Sequence, residues 1–380
     1  MKFAHLADCH IGGWREPALR ELSIKSFEKA VDICVERHVG FVLISGDLFD
    51  TAMPSIEILK ETVAILNKLK ENNIDVYMIP GSHDYSPSGK TMLDVLGNAG
   101  LIVNVDNNLV EDKTGVKIIG IGGKRGGLDR SDYENLDKSI ENLDGFKVFM
   151  FHTALEEFKP EELAKMEAQS VAVLPKNFNY YAGGHVHYIF NTKKDNGLLT
   201  YPGALFPNNF AELEKYKGGG FYIVDDELNL EYVEVKLKDV VNFNIDANDK
   251  SASEVENEIV GKLIGDFKDK IVLLRVEGVL KDKISDINFK DLDVEAYSFL
   301  RNTNKLKARE FEEADVKGNV EEIEKTIIQK NIGQFEINNE EELIKNLINV
   351  LDIEKEEGEK NFDFEDRVIK IAGKVLDETK

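Results

Sequence analysis

The chain has 380 residues, of which 42% are apolar and 31% are charged, a composition typical of a soluble globular protein with two or three domains. No segment approaches the roughly 18 consecutive apolar residues of a membrane span, and Asp8 and His10 interrupt the short apolar stretch at the N-terminus, which argues against a signal peptide. The net charge of −23 argues against a nucleic-acid substrate without excluding one, because metal ions bound among carboxylates change the local charge.

The first part of the chain alternates short apolar runs with helical patterns. The runs are too short for helices and end at Gly, Asp or Pro, so they predict buried strands at 2–8, 41–47, 75–80, 116–122, 146–151 and 180–184. Helices are predicted at 17–38 and 55–72, and this alternation indicates a layered α/β domain. Later runs at 198–202, 220–225 and 230–237 are expected to form a second sheet. Residues 1–240 are therefore predicted to form a two-sheet sandwich flanked by helices.

The composition changes near residue 240. Residues 241–300 predict a small α/β module, with strands at 241–246, 271–279 and 293–299, a helix at 252–265 and a helix or turn at 284–292. Residues 301–332 are polar and indicate a linker. The final segment, 333–380, contains two amphipathic helices, at 340–351 and 364–376. Such helices either pack back on the body or dock another protein, and we favour docking.

Five of the seven histidines belong to short motifs that follow predicted strands. In chain order the motifs are Asp8-Cys9-His10, Gly46-Asp47, Gly81-Ser82-His83-Asp84, Phe151-His152 and Gly184-His185-Val186-His187. Sites in α/β sheets form at the carboxyl ends of strands, where loops converge. Because residues two apart in a strand point to the same side, we expect Asp8 and His10 to face one site, and His185 and His187 likewise.

These motifs supply enough nitrogen and oxygen donors for two metal ions. The mixture of imidazole and carboxylate suits Mn, Fe or Zn better than Ca. Two ions about 3.5–4 Å apart can hold a phosphate and lower the pKa of a bridging water toward neutrality. Such a centre needs an aspartate able to bridge the ions, and Asp47 is the natural choice.

Residues outside the motifs have plainer interpretations. His5 is predicted to be a hydrogen-bonded strand residue, and Cys9 a packed core residue. With Cys34 it makes up the two cysteines of the chain; no CxxC occurs, so we expect free thiols in a reducing cytoplasm. The loop 122–127, Gly-Gly-Lys-Arg-Gly-Gly, is either a phosphate-binding loop or a surface turn. Trp14 and Arg15 either contact nucleic acid or form a packed loop.

The motif set resembles the calcineurin-like metallophosphoesterases, and within them the SbcD type of double-strand-break-repair nuclease, the Mre-eleven family. The resemblance extends beyond the motifs over roughly residues 1–240. It includes the segments 1–8, Ser45-Gly46-Asp47-Leu48-Phe49-Asp50, Tyr180 to His187, Tyr201-Pro202-Gly203-Ala204 and Gly219 to Val224. The module at 241–300 resembles the family's capping, DNA-binding domain only by position and pattern. The terminal helices resemble its ATPase-docking segment more loosely.

The resemblance implies two ligand sets that share one aspartate. One metal would be held by Asp8, His10, Asp47 and His187, and the other by Asp47, Ser82, His152 and His185. His83 would not bind metal but would orient the phosphate and assist the leaving oxygen, and Asp84 would support His83.

Position 82 departs from the family pattern, which has asparagine there. Serine has a shorter arm and a weaker donor, so it can ligate through its hydroxyl, act through a water or leave the position to solvent. We hypothesise a weaker second metal site with activity retained, because the other ligands remain.

Three functions are consistent with these motifs. The resemblance favours a DNA nuclease with two divalent ions, most readily Mn²⁺, acting as a 3′–5′ exonuclease and single-strand endonuclease with an SMC-like ABC ATPase of the Rad-fifty type. It also implies a cytoplasmic homodimer, paired through the helix at 17–38 or 55–72. The alternative is a small-molecule phosphodiesterase or phosphatase with the same metals, although such an enzyme needs neither the added module nor the terminal helices. A non-catalytic scaffold has only Ser82 in its favour.

Overall fold

The computed structural model describes residues 1–86, 91–124, 128–163, 166–289, 292, 294–309, 340–353 and 361–377. Most of the predicted linker, and residues 125–127 of the glycine-rich loop, lie outside the described residues. The elements are β1 Lys2–Leu6, α1 Pro17–Glu36, β2 Phe41–Ser45, α2 Ile56–Glu71, β3 Asp75–Ile79, α3 Met92–Asn98, β4 Val103–Asn104, β5 Val110–Glu111, β6 Lys117–Ile121, α4 Arg130–Glu134, β7 Lys147–His152, β8 Tyr180–Gly184, β9 Phe190–Lys194, β10 Gly197–Tyr201, α5 Phe210–Tyr216, β11 Gly219–Asp225, β12 Leu230–Val235, β13 Asp239–Asp246, α6 Ala252–Lys262, β14 Phe267–Leu280, β15 Ala296–Asn302, β16 Leu306–Ala308, α7 Glu340–Leu351 and α8 Asn361–Asp377.

Two six-stranded sheets form the body of the protein. The first has the strand order β12-β11-β1-β2-β3-β4, and the second β5-β6-β7-β8-β10-β9. The predicted α/β fold class, a two-sheet sandwich with helices, is confirmed. The expectation that the three later runs form the second sheet was wrong for two of them. β11 pairs antiparallel with β1 and carries β12 with it, because the edge of β1 opposite β2 is otherwise unpaired, whereas β10 joins β8 in the second sheet.

Strands β1, β2 and β3 of the first sheet are buried on both faces, which explains their continuous apolar runs. Phe3 and Phe41 point into the core between the sheets, where their rings stack with centroids 5.0 Å apart. The alternate residues, Ala4 and Val42, belong to a second core beneath α1 and α2. This double burial fixes the register of β1 and β2, because a shift of one residue would exchange the two faces, and it therefore fixes where each strand ends.

The chain divides into two compact units. The first comprises residues 1–244, 262–275 and 293–302, and the second 245–261, 276–292 and 303–380. Within the first unit, residues 267–275 of β14 pair in parallel with β15, and Arg275 makes a bidentate ion pair with Glu214 of α5. Within the second, Gly278–Leu280 pairs in parallel with β16, which lies inside the segment predicted as linker. Helices α7 and α8, predicted at nearly the same positions, contact each other.

Helices long and apolar enough to cross a membrane are absent from the part of the chain that the structure describes. Both cysteines are buried free thiols, and Cys9 lies in the core as predicted.

His5 is fully buried beneath the candidate site. Its Nε2 lies 3.0 Å from Ser45 Oγ, and its Nδ1 lies 2.9 Å from the Tyr180 hydroxyl and 3.1 Å from Thr200 Oγ1. This agrees with the predicted hydrogen-bonded role. Burial lowers the pKa of His5 from 6.5 to about 3, although a hydrogen bond with the Gly183 backbone acts in the opposite direction.

We expect His5 to make folding stability depend on pH. Because its folded pKa lies below its unfolded value, its contribution is complete above about pH 6.5 and is lost as the pH falls from 6.5 toward 3. At pH 5 the loss is about 2 kcal/mol, since each pH unit below 6.5 costs about 1.4 kcal/mol. Urea unfolding of wild type and His5→Gln at pH 7 and pH 5 measures this: the advantage of the wild type should shrink by that amount, and an unchanged difference would refute it.

Candidate metal centre

The motif residues lie where strands of both sheets end. Asp8 and His10 follow β1, Asp47 follows β2, and Ser82 to Asp84 follow β3, all in the first sheet; His152 ends β7, and His185 and His187 follow β8, in the second. Because the two sheets face each other, these strand ends meet in one place, as the positions of the motifs predicted.

The backbone at the site is not extended. Asp8, His10, Asp47 and His185 have φ values of 50°, 42°, 50° and 87°, in the left-handed region that L-residues rarely adopt. Strand alternation was predicted to point the Asp8 and His10 side chains to the same side, and this reason was wrong. These residues lie beyond the strand, and left-handed turns aim their side chains. Such backbone strain is typical of functional sites and is held by the surrounding structure.

Glycine permits the close approach of the loops. A Cβ on Gly81 would overlap the Asp47 side chain, and one on Gly184 would overlap the Ser45 carbonyl oxygen and crowd the His152 ring. The backbone N–H of His185 can then donate to both oxygens of Asp8, at 2.9 and 3.1 Å. Gly81 and Gly184 thus act by bringing the ligand-bearing segments together.

Asp47 lies at the middle of the cluster. Its Oδ2 is 3.2 Å from His152 Nε2 and 3.7 Å from His10 Nε2. Asp8, His10 and His187 form one group of donor atoms that could share a metal ion, and Asp8, Asp47 and His152 form another. A third group of donor atoms comprises His10, Asp50 and His83. Asp8 is the carboxylate common to the first two groups, and Asp47 stands between them because its Oδ2 lies near both His152 and His10.

Three of the imidazoles, those of His10, His152 and His187, present Nε2 to the cluster and Nδ1 to a partner outside it. His10 Nδ1 lies 3.2 Å from Asp50 Oδ1, and His187 Nδ1 lies 2.9 Å from Glu212 Oε1. His152 Nδ1 donates to the Ser45 carbonyl oxygen at 2.7 Å. An acceptor at Nδ1 keeps the proton there and leaves the Nε2 lone pair for a metal.

The residues present fit a cation. His10 Nε2 and His187 Nε2 face each other at 3.1 Å, and two lone pairs at that distance repel unless a proton or a metal ion lies between them. His152 Nε2 is buried without a well-formed hydrogen bond, although Asp47 Oδ2 lies 3.2 Å away. Buried polar nitrogens are normally satisfied, so these atoms indicate a missing positive partner.

The electrostatics of the cluster point the same way. Burial opposes protonation of His152, but Asp47 and Asp8 beside it raise its pKa to about 10. Burial likewise opposes ionisation of Asp47, yet the His152 and His10 rings hold its pKa well below the usual range. His185, buried and next to His152, has its pKa lowered to about 3. The carboxylates therefore attract positive charge to a place that water reaches poorly.

Ser82 and His83 lie at the edge of an open cavity of about 870 Å³ that also contacts His152 and His185. The His83 ring packs edge-on against His10, with centroids 4.8 Å apart. Its Nδ1 donates to the Asp50 carbonyl oxygen at 2.7 Å, and its side chain is 37% exposed. His83 is thus held at one nitrogen beside the cluster and borders the solvent-accessible side.

Asp84 supports the loops rather than the His83 ring, which corrects the predicted contact. Its buried carboxylate accepts the backbone N–H groups of Leu48, Phe49 and Gly81 at 3.0–3.2 Å. Burial, and then the charge of Asp47, raise the pKa of Asp84 to about 7, against these hydrogen bonds. Asp84 therefore ties the segment after Asp47 to the segment before His83 and acts on both only through the backbone.

The sequence did not lead us to predict Asp50 and Glu212 as functional residues. Asp50 accepts from Asn208 as well as facing His10, and Glu212 is positioned by the backbone N–H of Asn208. Asp50 could have been found, since it falls within the quoted segment that follows Asp47. Glu212 lies on α5, a short helix without a clear sequence pattern, and only the fold brings it to His187.

Two further residues singled out from the sequence are Trp14 and Lys124. Trp14 donates its indole N–H to the Pro207 carbonyl oxygen at 2.8 Å and packs against an apolar cluster, which favours the packed loop over the nucleic-acid contact. Lys124 reaches the cavity of Ser82 and His83 and pairs with Asp132 at 2.5 Å.

Comparison with known proteins identifies the family of this chain. Residues 1–188 match the calcineurin-like phosphoesterase family. The chain is 31% identical to the DNA double-strand break repair protein Mre11 of Methanococcus maripaludis, over 72% of this chain and 82% of that protein. It is 30% identical to the protein of the same name from Methanocaldococcus jannaschii, over 75% and 81% of the two chains. The chain therefore belongs to the Mre11 family of DNA double-strand break repair proteins.

Proposed function

We propose that this chain is a dinuclear-metal-dependent DNA nuclease of double-strand-break repair. The observation that carries the proposal is the set of inward-facing Nε2 atoms of His10, His152 and His187 around Asp8 and Asp47, beside an open cavity. The names of the relatives support DNA as the substrate. The reaction is phosphodiester hydrolysis, with 3′–5′ exonuclease and single-strand endonuclease modes.

Two ligand sets follow for the metals, with Mn²⁺ the ion we expect. Asp8, His10, Asp47 and His187 would hold one ion, and Asp47, Ser82, His152 and His185 the other. Divalent ions in such a site stabilise charge on phosphate oxygens and lower the pKa of water. The protein's own contribution is to orient the imidazoles of His10, His152 and His187 through their Nδ1 partners and to keep the cluster buried on the core side.

His83 is assigned the role of orienting the phosphate and protonating the leaving oxygen. With Nδ1 held by the Asp50 carbonyl, a protonated ring has Nε2–H to donate. Asp84 belongs to the catalytic machinery only by fixing the backbone around His83. Lys124 and Arg130 border the same cavity, but so do Asp129, Glu134, Glu156 and Glu167, so bound divalent ions rather than this lining would have to attract a polyanionic strand to a chain with a net charge of −23.

The alternative is a small-molecule phosphodiesterase or phosphatase. The experiment that separates the two compares bis-p-nitrophenyl phosphate, cyclic nucleotides and single-stranded oligonucleotides under one set of metal conditions. We expect the oligonucleotides to have the highest kcat/KM. Hydrolysis of the small esters without cleavage of any DNA would refute the nuclease, and hydrolysis of none would indicate a non-catalytic scaffold.

Ser82 is expected to weaken the second metal site. Serine offers a shorter and weaker oxygen donor than the asparagine of the family pattern, so Ser82→Asn should tighten binding of the weaker ion by roughly 10-fold, the size of effect that a ligand-shell change brings. Calorimetric titration of Mn²⁺ into both proteins measures it. If the two proteins bound both ions with equal affinities, the expectation that Ser82 weakens the second metal site would be wrong.

Each part of the chain would have the role that the resemblance implies. Residues 1–240 would form the nuclease domain, 241–300 a capping DNA-binding domain, 301–332 a linker, and 333–380 a helical segment that docks an SMC-like ABC ATPase. A homodimer would form through α1 or α2; Ile56, at the start of α2, is 80% exposed.

Exposed apolar side chains on α8 support the docking role. Ile369 and Leu376 are 69% and 48% exposed. Replacing both with aspartate is expected to lower binding of the ATPase subunit at least roughly 100-fold, as loss of central apolar anchors does, and to leave nuclease activity intact. Val260→Asp, at a 60% exposed position on α6, is the matched control. Undiminished binding by the double variant would contradict the assignment.

A further inference from the structure

Helix α5 contacts the candidate metal centre on one side and strand β14 on the other. Its Glu212 faces His187, with Oε1 2.9 Å from Nδ1. Its Glu214 pairs with Arg275 of β14, and all four residues belong to the first compact unit. Residues two apart on a helix point in directions about 200° apart, so one short helix can contact both partners. α5 therefore links β14 to a proposed metal ligand.

The ion pair between α5 and β14 has a well-defined geometry. Arg275 donates from Nε to both Glu214 oxygens, at 2.9 and 3.1 Å, and from Nη2 to Oε2 at 2.6 Å. The Arg275 side chain is only 11% exposed. Its guanidinium also lies over the Phe210 ring, 5.0 Å from the centroid, so it contacts the first turn of α5 as well. A bidentate and largely buried pair fixes orientation, which an exposed pair does poorly.

The position of α5 depends on its neighbours. The helix has seven residues, and helices shorter than about 12 residues are marginal without tertiary contacts. Its buried Leu213 packs in an apolar cluster that includes Ile271 of β14. The Asn242 side chain of β13 donates to the Glu214 carbonyl oxygen at 2.8 Å. Strands β13 and β14 therefore hold α5 in place, and Arg275 supplies the charged contact.

The Glu212 carboxylate depends in turn on the position of α5. Its Oε2 accepts the Asn208 backbone N–H at 2.9 Å, and the Asn209 side chain caps the helix by accepting the Glu212 backbone N–H at 3.0 Å. Both partners directly precede α5 in the chain, so these bonds do not fix the helix relative to His187. A rotation of α5 would carry the carboxylate away from His187 Nδ1. The ring would then lose the partner that leaves its Nε2 lone pair for a metal.

We propose that Arg275 is a positioning residue for the metal ligand His187. It acts on α5 through Glu214 and Phe210, and α5 acts on His187 through Glu212. The inference rests on the proposed metal-dependent function, because Arg275 would set the affinity of the ion that His187 holds. The other ion of the proposed pair does not depend on His187 and should keep its affinity.

Calorimetric titration of Mn²⁺ into the full-length protein, without DNA, tests the proposal. Arg275→Met keeps a long side chain but removes the guanidinium, and it should lower the affinity of one ion by roughly 10-fold, the lower end of the effect of losing a partner of a metal ligand. Glu214→Gln breaks the same pair from α5 and should lower the same affinity, which keeps the test open if Arg275→Met does not fold. The matched control is Arg37→Met, which removes an exposed pair with Glu231 and should leave both affinities unchanged.

A second set of variants separates positioning from general stability. If Arg275 acts through Glu212, Arg275→Met should have little further effect on Mn²⁺ affinity in a Glu212→Ala background. Arg275→Lys keeps the charge but cannot make the bidentate pair, so its affinity should lie between those of the wild type and Arg275→Met.

Three results would overturn the proposal: unchanged Mn²⁺ affinity in both Arg275→Met and Glu214→Gln, an equal loss for both ions, or a loss in the Glu212→Ala background as large as in the wild type. Because the titration uses no DNA, a wild type that binds Mn²⁺ but cleaves no DNA would refute the nuclease proposal alone.

Discussion

Asp47→Ala is expected to abolish tight binding of both metal ions and to lower phosphodiesterase activity by at least roughly 1,000-fold, or about 4 kcal/mol of transition-state stabilisation. The Oδ2 atom of Asp47 lies between His152 and His10, at 3.2 and 3.7 Å. Its removal leaves His152 and His10, one imidazole from each donor group, without the carboxylate that lies near both. Asp8 also belongs to both donor groups, whereas loss of a single histidine would affect chiefly one group.

The substitution also removes a structural contact, so a second variant is needed. Asp47 Oδ1 accepts the His83 backbone N–H at 2.7 Å, a bond that Asp47→Asn can keep. Metal content after dialysis, measured by mass spectrometry, should fall from two ions per chain to fewer than one in both variants. Two retained ions in Asp47→Asn, with normal turnover, would contradict the shared-aspartate arrangement.

His83→Gln is expected to lower DNA cleavage by about 100- to 10,000-fold, the range of general acid–base effects, while leaving two metal ions bound. The ring is fixed through Nδ1 to the Asp50 carbonyl, packs edge-on against His10 and borders the open cavity. Glutamine preserves a polar group of similar length but cannot transfer a proton. His83→Gln should therefore lose activity and keep its metal ions, whereas Asp47→Ala should lose both.

His38→Gln serves as the control for loss of a histidine, since His38 follows the end of α1, away from the motifs. Rates of oligonucleotide cleavage and metal content are measured for the three proteins. Wild-type rates in His83→Gln would remove His83 from the chemistry, and loss of a metal ion would make it a ligand instead.

The strand ends of the site could be predicted because each strand is a buried apolar run that stops at a polar motif. Burial on both faces made β1, β2 and β3 visible as continuous runs, and parallel strands bring their carboxyl ends together. The positions of Asp8, Asp47, His83 and His152 follow from that pattern alone.

The sheet that each later strand joins could not be predicted from the sequence. β11 is a short apolar run like β10, yet it joins the other sheet together with the alternating strand β12, because strand partners depend on long-range packing and not only on residues within the strand. The aim of Asp8 and His10 likewise depends on left-handed backbone angles, which no side-chain periodicity encodes.

Support of the imidazoles was the least predictable part of the site. Glu212 is 25 residues from His187 in the chain but faces its Nδ1 at 2.9 Å. Asp50 similarly reaches His10 from a different loop. A lone carboxylate such as Glu212 carries no sequence signal for such a role, since its partner is set by the tertiary fold, whereas Asp50 lies in the motif segment that follows Asp47.

The most direct test of the nuclease assignment is cleavage of end-labelled linear duplex DNA by the full-length protein, with Mn²⁺, with EDTA, and with Mn²⁺ restored after EDTA. We predict progressive loss of the labelled duplex with Mn²⁺, none with EDTA, and recovery of the original rate when Mn²⁺ is restored. Intact DNA under all three conditions, or cleavage that EDTA does not inhibit, would contradict a metal-dependent nuclease.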